Sequence, residues 1–198
     1  MVRTINKTLG RCKWVLEQDF LMKEYHDKEW GVPLHDDKKI FEFLCLESFQ
    51  AGLSWRTILN KRKNFRKAFA GFDPVRVARF TKKDFNRLMQ DAGIVRNRLK
   101  IEAAINNAAR FLEVKKEFGT FSKYMWGFVD NRPIINKVAK MSDYKAVSDE
   151  AITWSKDLKN RGFKFLGPTT LYAHMQATGM VNDHMEHCFW NRKKYSVR

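Results

Sequence analysis

Leu88-Met89-Gln90-Asp91-Ala92-Gly93-Ile94-Val95-Arg96-Asn97-Arg98-Leu99-Lys100-Ile101 reads as the end of one helix, a tight turn at Gly93 and the start of a second helix. Upstream, Thr81-Lys82-Lys83-Asp84 resembles a capping box with Asp in place of the usual Glu, opening a helix to about Gln90. Downstream, Leu99, Ile101, Ala104, Ile105, Ala108, Phe111 and Leu112 keep a helical rhythm over 96–118, closed by Gly119. Three cations, Arg96, Arg98 and Lys100, crowd the start of that second helix, where they oppose its dipole and add nothing to its stability. A phosphate there would meet free backbone N–H groups, the dipole and the cations together, which holds a DNA backbone without reading sequence. The alternative is a solvated basic face.

Further out the punctuation stays helical. Ser54 caps a segment from Trp55 to Ala70 in which Ile58, Leu59, Arg62, Phe65 and Phe69 form one stripe. Asp73-Pro74 pairs an N-cap with Pro at the first helical position, opening Val75 to Phe80. Ser148 caps a helix that Gly162 closes, and Gly167-Pro168 opens a last one closed by Gly179. Only Val129 to Val138 reads as irregular or extended. The expected class is all-α, with eight or more helices in one unit.

The chain has 198 residues, 38 Lys plus Arg against 22 Asp plus Glu, and a formal net charge of +16. Its 16 Phe and 6 Trp rule out a disordered basic tail and leave a chain that buries a core around a polyanion-binding surface. Nucleic acid is the first partner this suggests and an anionic membrane surface the second; no apolar run approaches the ~20 residues of a membrane span. Three cysteines, odd in number and far apart, suit a reducing interior. The expected location is cytoplasmic, associated with the nucleoid if the source is bacterial, and the simplest assembly is a monomer.

Two of those cysteines keep company with histidine. Cys12 and His26 lie near one end of the chain, His184 and Cys188 in a His-x3-Cys arrangement near the other. On a helix or a turn the second pair can chelate one ion, and two Cys with two His is a usual set for structural zinc. The competing reading is two buried thiols and two surface imidazoles that never meet. His187 shares a face with His184 and complicates the choice. His35 and His174 show no partner in the sequence and read as ordinary, and Cys45 as an inert core thiol.

From Phe43 to Trp55 the sequence runs FLCLESFQAGLSW, and Glu47 is its only charged residue. Such a carboxylate either sits at a helix edge facing water or is held inside for a purpose. Phe49, Gln50 and Trp55 follow it, and Tyr25, His26 and Trp30 are candidates for the same cavity. Aromatic faces with one carboxylate and one amide can stack a flat ring, bond its edge and favour a positively charged one.

The segments RCKWV (11–15), YHDKEWGVPLHDDKKIFEFLCLESFQAGLSW (25–55), FDPVRVA (72–78), DAGIVRNRLKI (91–101), RGFKFLGPTTLY (161–172) and MVNDHMEHC (180–188) together resemble the DNA-3-methyladenine glycosylase I family, within the helix-hairpin-helix glycosylase superfamily. The resemblance runs from Arg11 to Cys188, leaving 1–10 and 191–198 as basic terminal extensions of a core over 11–190. It implies the helix-hairpin-helix glycosylase fold, one structural zinc ion joining the two chain ends through Cys12, His26, His184 and Cys188, and excision of N3-methyladenine from alkylated double-stranded DNA, with the free base as product. Glu47 maps onto the base-recognition carboxylate, Tyr25 and Trp55 onto pocket aromatics expected to sandwich the base, with Trp30 and Gln50 nearby. Gly93, Arg96, Arg98 and Lys100 fall on the hairpin expected to hold the DNA backbone.

Alkylation at N3 makes the purine cationic and its glycosidic bond weak, so the resemblance implies base flipping, selective binding by Glu47 at the exocyclic amine and N7 edge, and attack by water. The superfamily's usual catalytic aspartate after the hairpin has no counterpart. The chain departs from the family pattern in a Cys12–His26 spacing one residue longer, in Met22 where some members carry tyrosine (with Phe20 close by), and in Ala173 where some carry a small hydroxyl. Three rivals remain: a non-catalytic zinc-containing DNA-binding protein on this scaffold, a glycosylase of broader lesion range, and a membrane-surface protein.

Overall fold

The computed structural model describes residues 10–191; the expected extensions at 1–10 and 191–198 lie, but for Gly10 and Asn191, outside the described residues. The described residues form helices α1 (Phe20–Lys28), α2 (Asp37–Gln50), α3 (Trp55–Ala68), α4 (Pro74–Val77), α5 (Lys82–Gln90), α6 (Arg98–Phe118), α7 (Phe121–Trp126), α8 (Asp149–Asn160) and α9 (Pro168–Ala177). The expected all-helical class holds, with one small exception. Two-residue strands β1 (Ile134–Ile135) and β2 (Val181–Asn182) pair in parallel, Ile134 opposite Val181 and Ile135 opposite Asn182. Strand β1 falls inside the stretch read as extended, whereas β2 was not expected; their pairing pins the segment that leads to His184 and Cys188.

Caps account for most helix starts. Asp36, Ser54, Asn97 and Ser148 each accept a backbone N–H from the first turn of their helix, and Thr81 with Asp84 completes a capping box. Because Asn97 is the cap, α6 begins at Arg98, two residues later than its charge pattern suggested, and Arg96 belongs to the turn. Leu99 is a further correction: it is exposed, because it points away from the face that Ile101, Ala104, Ala108 and Phe111 bury.

Helix α2 lies at the centre. Every residue from Ile40 to Phe49 is buried, with α3, α6, α7 and α9 packed around it. One end of α2 therefore projects Glu47 and Gln50 between α3 and α9. Its charged residue Glu42 is compensated by Arg62 of α3, which also takes Glu29, and by Arg66. No described helix is long and apolar enough to cross a membrane.

Candidate functional site

Adjacent residues on α1 serve two sites. His26 turns to the chain ends and Tyr25 to a cavity, both side chains buried.

At the chain ends, Cys12, His26, His184 and Cys188 converge, all buried, with their ligand atoms within 4.8 Å of one another. Cys12 Sγ lies 3.6 Å and Cys188 Sγ 3.4 Å from His184 Nδ1, and Cys188 Sγ lies 3.5 Å from His26 Nε2. The imidazoles are held by their other nitrogens: His26 Nδ1 is 2.8 Å from Asp27 Oδ1, itself clamped by Arg11, and His184 Nε2 is 3.1 Å from the Trp30 carbonyl. Such outer partners orient metal-ligating histidines. Gly31, at φ +75°, makes room for this arrangement, since a Cβ there would stand 2.7 Å from His184 Nε2. This cluster can hold a metal ion. His187 stays out of it, its Nε2 on the Arg11 carbonyl at the surface.

The cavity, about 370 Å³, is lined by Trp14, Met22, Tyr25, Trp30, Glu47, Gln50, Trp55, Met141, Tyr144, Lys145, Ala173 and Gln176. Of the residues named for this cavity, Tyr25, Trp30, Glu47, Gln50 and Trp55 line it, whereas Phe49 packs on Phe65 and Phe69 and His26 belongs to the cluster at the chain ends. Met22 and Ala173, two departures from the family pattern, also line it. One expectation needs correcting. Tyr25 and Trp55 have ring centroids 5.4 Å apart, tilted by 52°, so they touch each other and form one wall; a sandwiched ring would hold them about two stacking distances apart. Phe43 backs Trp55. Two cavity groups carry a buried polar atom without a hydrogen-bond partner among the described residues, Trp55 Nε1 and Tyr144 Oη. Buried polar atoms are ordinarily paired, so these mark where a polar ligand would be held.

Glu47 is 3 % exposed, and burial pushes its carboxyl above the usual carboxylate range. Burial, and then the neighbouring Glu47 charge, push the Tyr25 phenol well up, so it stays a hydroxyl. His174 of α9, read as an ordinary histidine, instead lies with Nδ1 3.0 Å from Glu47 Oε2. Nothing in the sequence around His174 signals this, because the contact is made only by packing α9 on α2. Trp14, Met141, Tyr144, Lys145 and Gln176 also line the cavity without a signal in the sequence, because segments distant in the chain bring them there. His35, on Ser122 and stacked over Trp126, and Cys45, buried in the core, are ordinary as expected.

The hairpin between α5 and α6 turns at Gly93, whose N–H donates to Asp91 Oδ1 and whose missing side chain leaves room for Asn64. Lys61 Nζ bridges the Ala92 and Gly93 carbonyls. Arg96 and Arg98 are exposed, Arg98 lying over the Phe85 ring and 3.4 Å from Glu102. Lys100 departs from expectation: it is buried, and its ammonium donates to the carbonyls of Phe49 and Ala51 at the end of α2 rather than facing solvent. A helix C-terminus with free carbonyls is the stronger attraction for that cation.

Comparison with known proteins gives the same pattern a family. The family model for methyladenine glycosylase matches residues 14–191. The chain is 48 % identical over 180 residues to DNA-3-methyladenine glycosylase 1 of Escherichia coli (strain K12), covering 91 % of this chain and 96 % of that one. A crystal structure of 3-methyladenine DNA glycosylase I superposes with a TM-score of 0.88 at 47 % identity, over 91 % of this chain and 98 % of the other. A variant of such an enzyme, solved in complex with 3-methyladenine, superposes with a TM-score of 0.86 at 41 % identity, over 89 % and 95 %. With residues 14–191 matched by that family model, the chain belongs to the methyladenine glycosylase family.

Proposed function

We propose that this protein is a monofunctional DNA glycosylase that flips N3-methyladenine out of alkylated double-stranded DNA and hydrolyses its N-glycosidic bond, the first step of base excision repair. The observation that carries the reading is a single buried carboxylate, Glu47, set in a cavity walled by Tyr25, Trp30 and Trp55. That combination favours a flat cation over the neutral adenine that fills normal DNA.

Methylation at N3 has already placed a positive charge on the purine, so its departure needs no added proton. The C1′–N9 bond breaks with its electron pair going to the base, which leaves as neutral 3-methyladenine. Water attacks C1′ and releases a proton, leaving an abasic sugar. Glu47 contributes by accepting from the exocyclic amine edge and by opposing the charge of the bound base. Gln50 and the unpaired Trp55 and Tyr144 groups are within the same cavity to complete the edge contacts.

The backbone of the DNA is assigned to the hairpin: the turn at Gly93, the start of α6, and the exposed Arg96 and Arg98. This is the part that the superfamily resemblance names a helix-hairpin-helix. Cys12, His26, His184 and Cys188 would hold one zinc ion. A tetrahedron with zinc's ordinary bond lengths has S···N edges of about 3.6 Å, and the observed separations of 3.4, 3.5 and 3.6 Å fit it. The ion would supply structure alone, closing the two ends of the core (11–190) into one unit, and all four ligands are protein groups. The protein is assigned to the cytoplasm as a monomer.

The test is release of free base from dimethyl-sulfate-treated DNA, resolved by chromatography, for wild type beside Glu47→Gln. Release of 3-methyladenine without 7-methylguanine, sharply reduced in the variant, supports the reading. Binding of DNA with no release would instead favour the non-catalytic DNA-binding reading, and release of both bases a broader glycosylase.

A further inference from the structure

His174 and Glu47 meet inside the protein, where α9 packs on α2. Both side chains are buried, and Nδ1 lies 3.0 Å from Oε2. Burying an imidazole is costly unless its polar atoms are used. Among the described residues the 3.0 Å approach of Glu47 Oε2 to Nδ1 is the one ion-pair contact of this ring; neither Nδ1 nor Nε2 has another partner, and the ring packs on Trp154 at 5.6 Å between centroids. An N–H left unpaired in the interior is a costly arrangement, so the ring's proton belongs on Nδ1, the nitrogen that faces the carboxylate.

The charged and titratable groups on the elements packed around the pair are engaged elsewhere. On α2, Glu42 is with Arg62 of α3 and Arg66. Lys100 of α6 is on the Phe49 and Ala51 carbonyls. Tyr25 of α1 is a neutral hydroxyl, and Tyr124 of α7 donates to Asp157 of α8. Asp183, beyond β2, accepts from Asn136, Tyr172 and Gln176. Lys145 lines the cavity but stands at no ion-pair distance from Glu47; of the described residues only His174 does.

We propose that His174 is a positioning residue for this site: its Nδ1–H holds Oε2 of Glu47, keeps the carboxylate anionic, and leaves its second oxygen for the ligand. The role rests on the reading of the cavity as a site for a cationic purine. Burial alone pushes the Glu47 carboxyl up, and His174 opposes that through charge and hydrogen bonding. His174 therefore extends the working range of the site toward acid pH.

The experiment follows the Glu47 carboxyl directly by ¹³C NMR titration, its resonance assigned by its loss in Glu47→Gln, alongside the pH profile of 3-methyladenine release. In His174→Phe the Glu47 titration moves to higher pH, and the acid limb of base release moves with it. For a one-unit move, release below both midpoints falls roughly ten-fold against wild type and recovers toward it at alkaline pH. His174→Asn, whose amide stands where Nδ1 stood, restores both curves; His174→Gln, whose amide reaches the Nε2 position, does not. If Phe unfolds the protein, the Asn and Gln pair decides. Coincident Glu47 titrations in wild type, Phe and Gln variants overturn the proposal. Absence of base release by wild type at every pH overturns the glycosylase reading instead, and the carboxyl titration still decides whether His174 holds Glu47.

Discussion

The ammonium of Lys100 donates to the main-chain carbonyl of Phe49 at 2.9 Å and to that of Ala51 beside it, which ties the first turn of α6 to the last turn of α2. The hairpin assigned to DNA and the helix carrying Glu47 and Gln50 are thus one rigid piece. A phosphate bound at the hairpin, as proposed, would thereby be held at a set distance from the cavity.

Lys100→Met keeps the aliphatic stem and removes the donor, leaving two carbonyls at the end of α2 without it. A loss of about 1–3 kcal/mol in urea unfolding is expected, the usual cost of an orphaned buried polar group. The salt dependence of DNA binding should match wild type, because this ammonium faces the protein. A flatter salt slope in the variant would return Lys100 to the DNA face.

Arg96 and Arg98 should behave in the opposite way. Each is exposed at the hairpin. Arg96→Ala or Arg98→Ala should leave unfolding nearly unchanged, weaken binding to all DNA sequences alike, and reduce the slope of log K against log salt by about 0.9 per lost phosphate contact. Fluorescence anisotropy across a salt series reads this directly, and unchanged slopes would remove the hairpin from the interface.

The metal assignment has a test in the outer partners of the ligands. Metal analysis should give one zinc per chain. Asp27→Asn keeps the shape of the group on His26 Nδ1 but weakens its pull, and metal affinity by competition with a chromophoric chelator should fall by about 10–100-fold. Cys188→Ser should lose the ion and a large part of the stability with it. Fully stable, metal-free wild type would show that the four side chains are merely core.

The parts of this molecule legible in its sequence are those set by neighbouring residues. Asp73-Pro74, Thr81 with Asp84, Ser54 and Ser148 all start helices where local capping chemistry says they should. Glu47 was visible as a lone charge in an apolar run. α2 itself has no periodic stripe because it is buried on all sides, so its centrality cannot be read from spacing. Lys100 shares its sequence pattern with Arg96 and Arg98, and only the packing of α6 against α2 separates a buried cap from two surface cations. His174 is harder still, since both what it touches and what it does depend on a helix distant in the chain. The relative tilt of Tyr25 and Trp55 likewise belongs to the packing of α1 on α3.

Glu47→Gln should uncouple function from stability. Burial raises the Glu47 carboxyl above its unfolded value, so folding favours the protonated form. The stability this gives is fully present below the unfolded value and is lost as pH rises through the folded one. Above the folded value, wild type therefore holds a buried anion that a neutral amide of the same shape avoids. Glu47→Gln should unfold at a higher urea concentration than wild type at pH 8, by on the order of 1 kcal/mol, with the margin shrinking as pH falls toward 5. Base release should move the other way, falling sharply where the margin is widest. A variant less stable than wild type at pH 8 would mean that the His174–Glu47 contact outweighs the burial cost, and the carboxylate would then be a structural asset instead of a site kept at the expense of the fold.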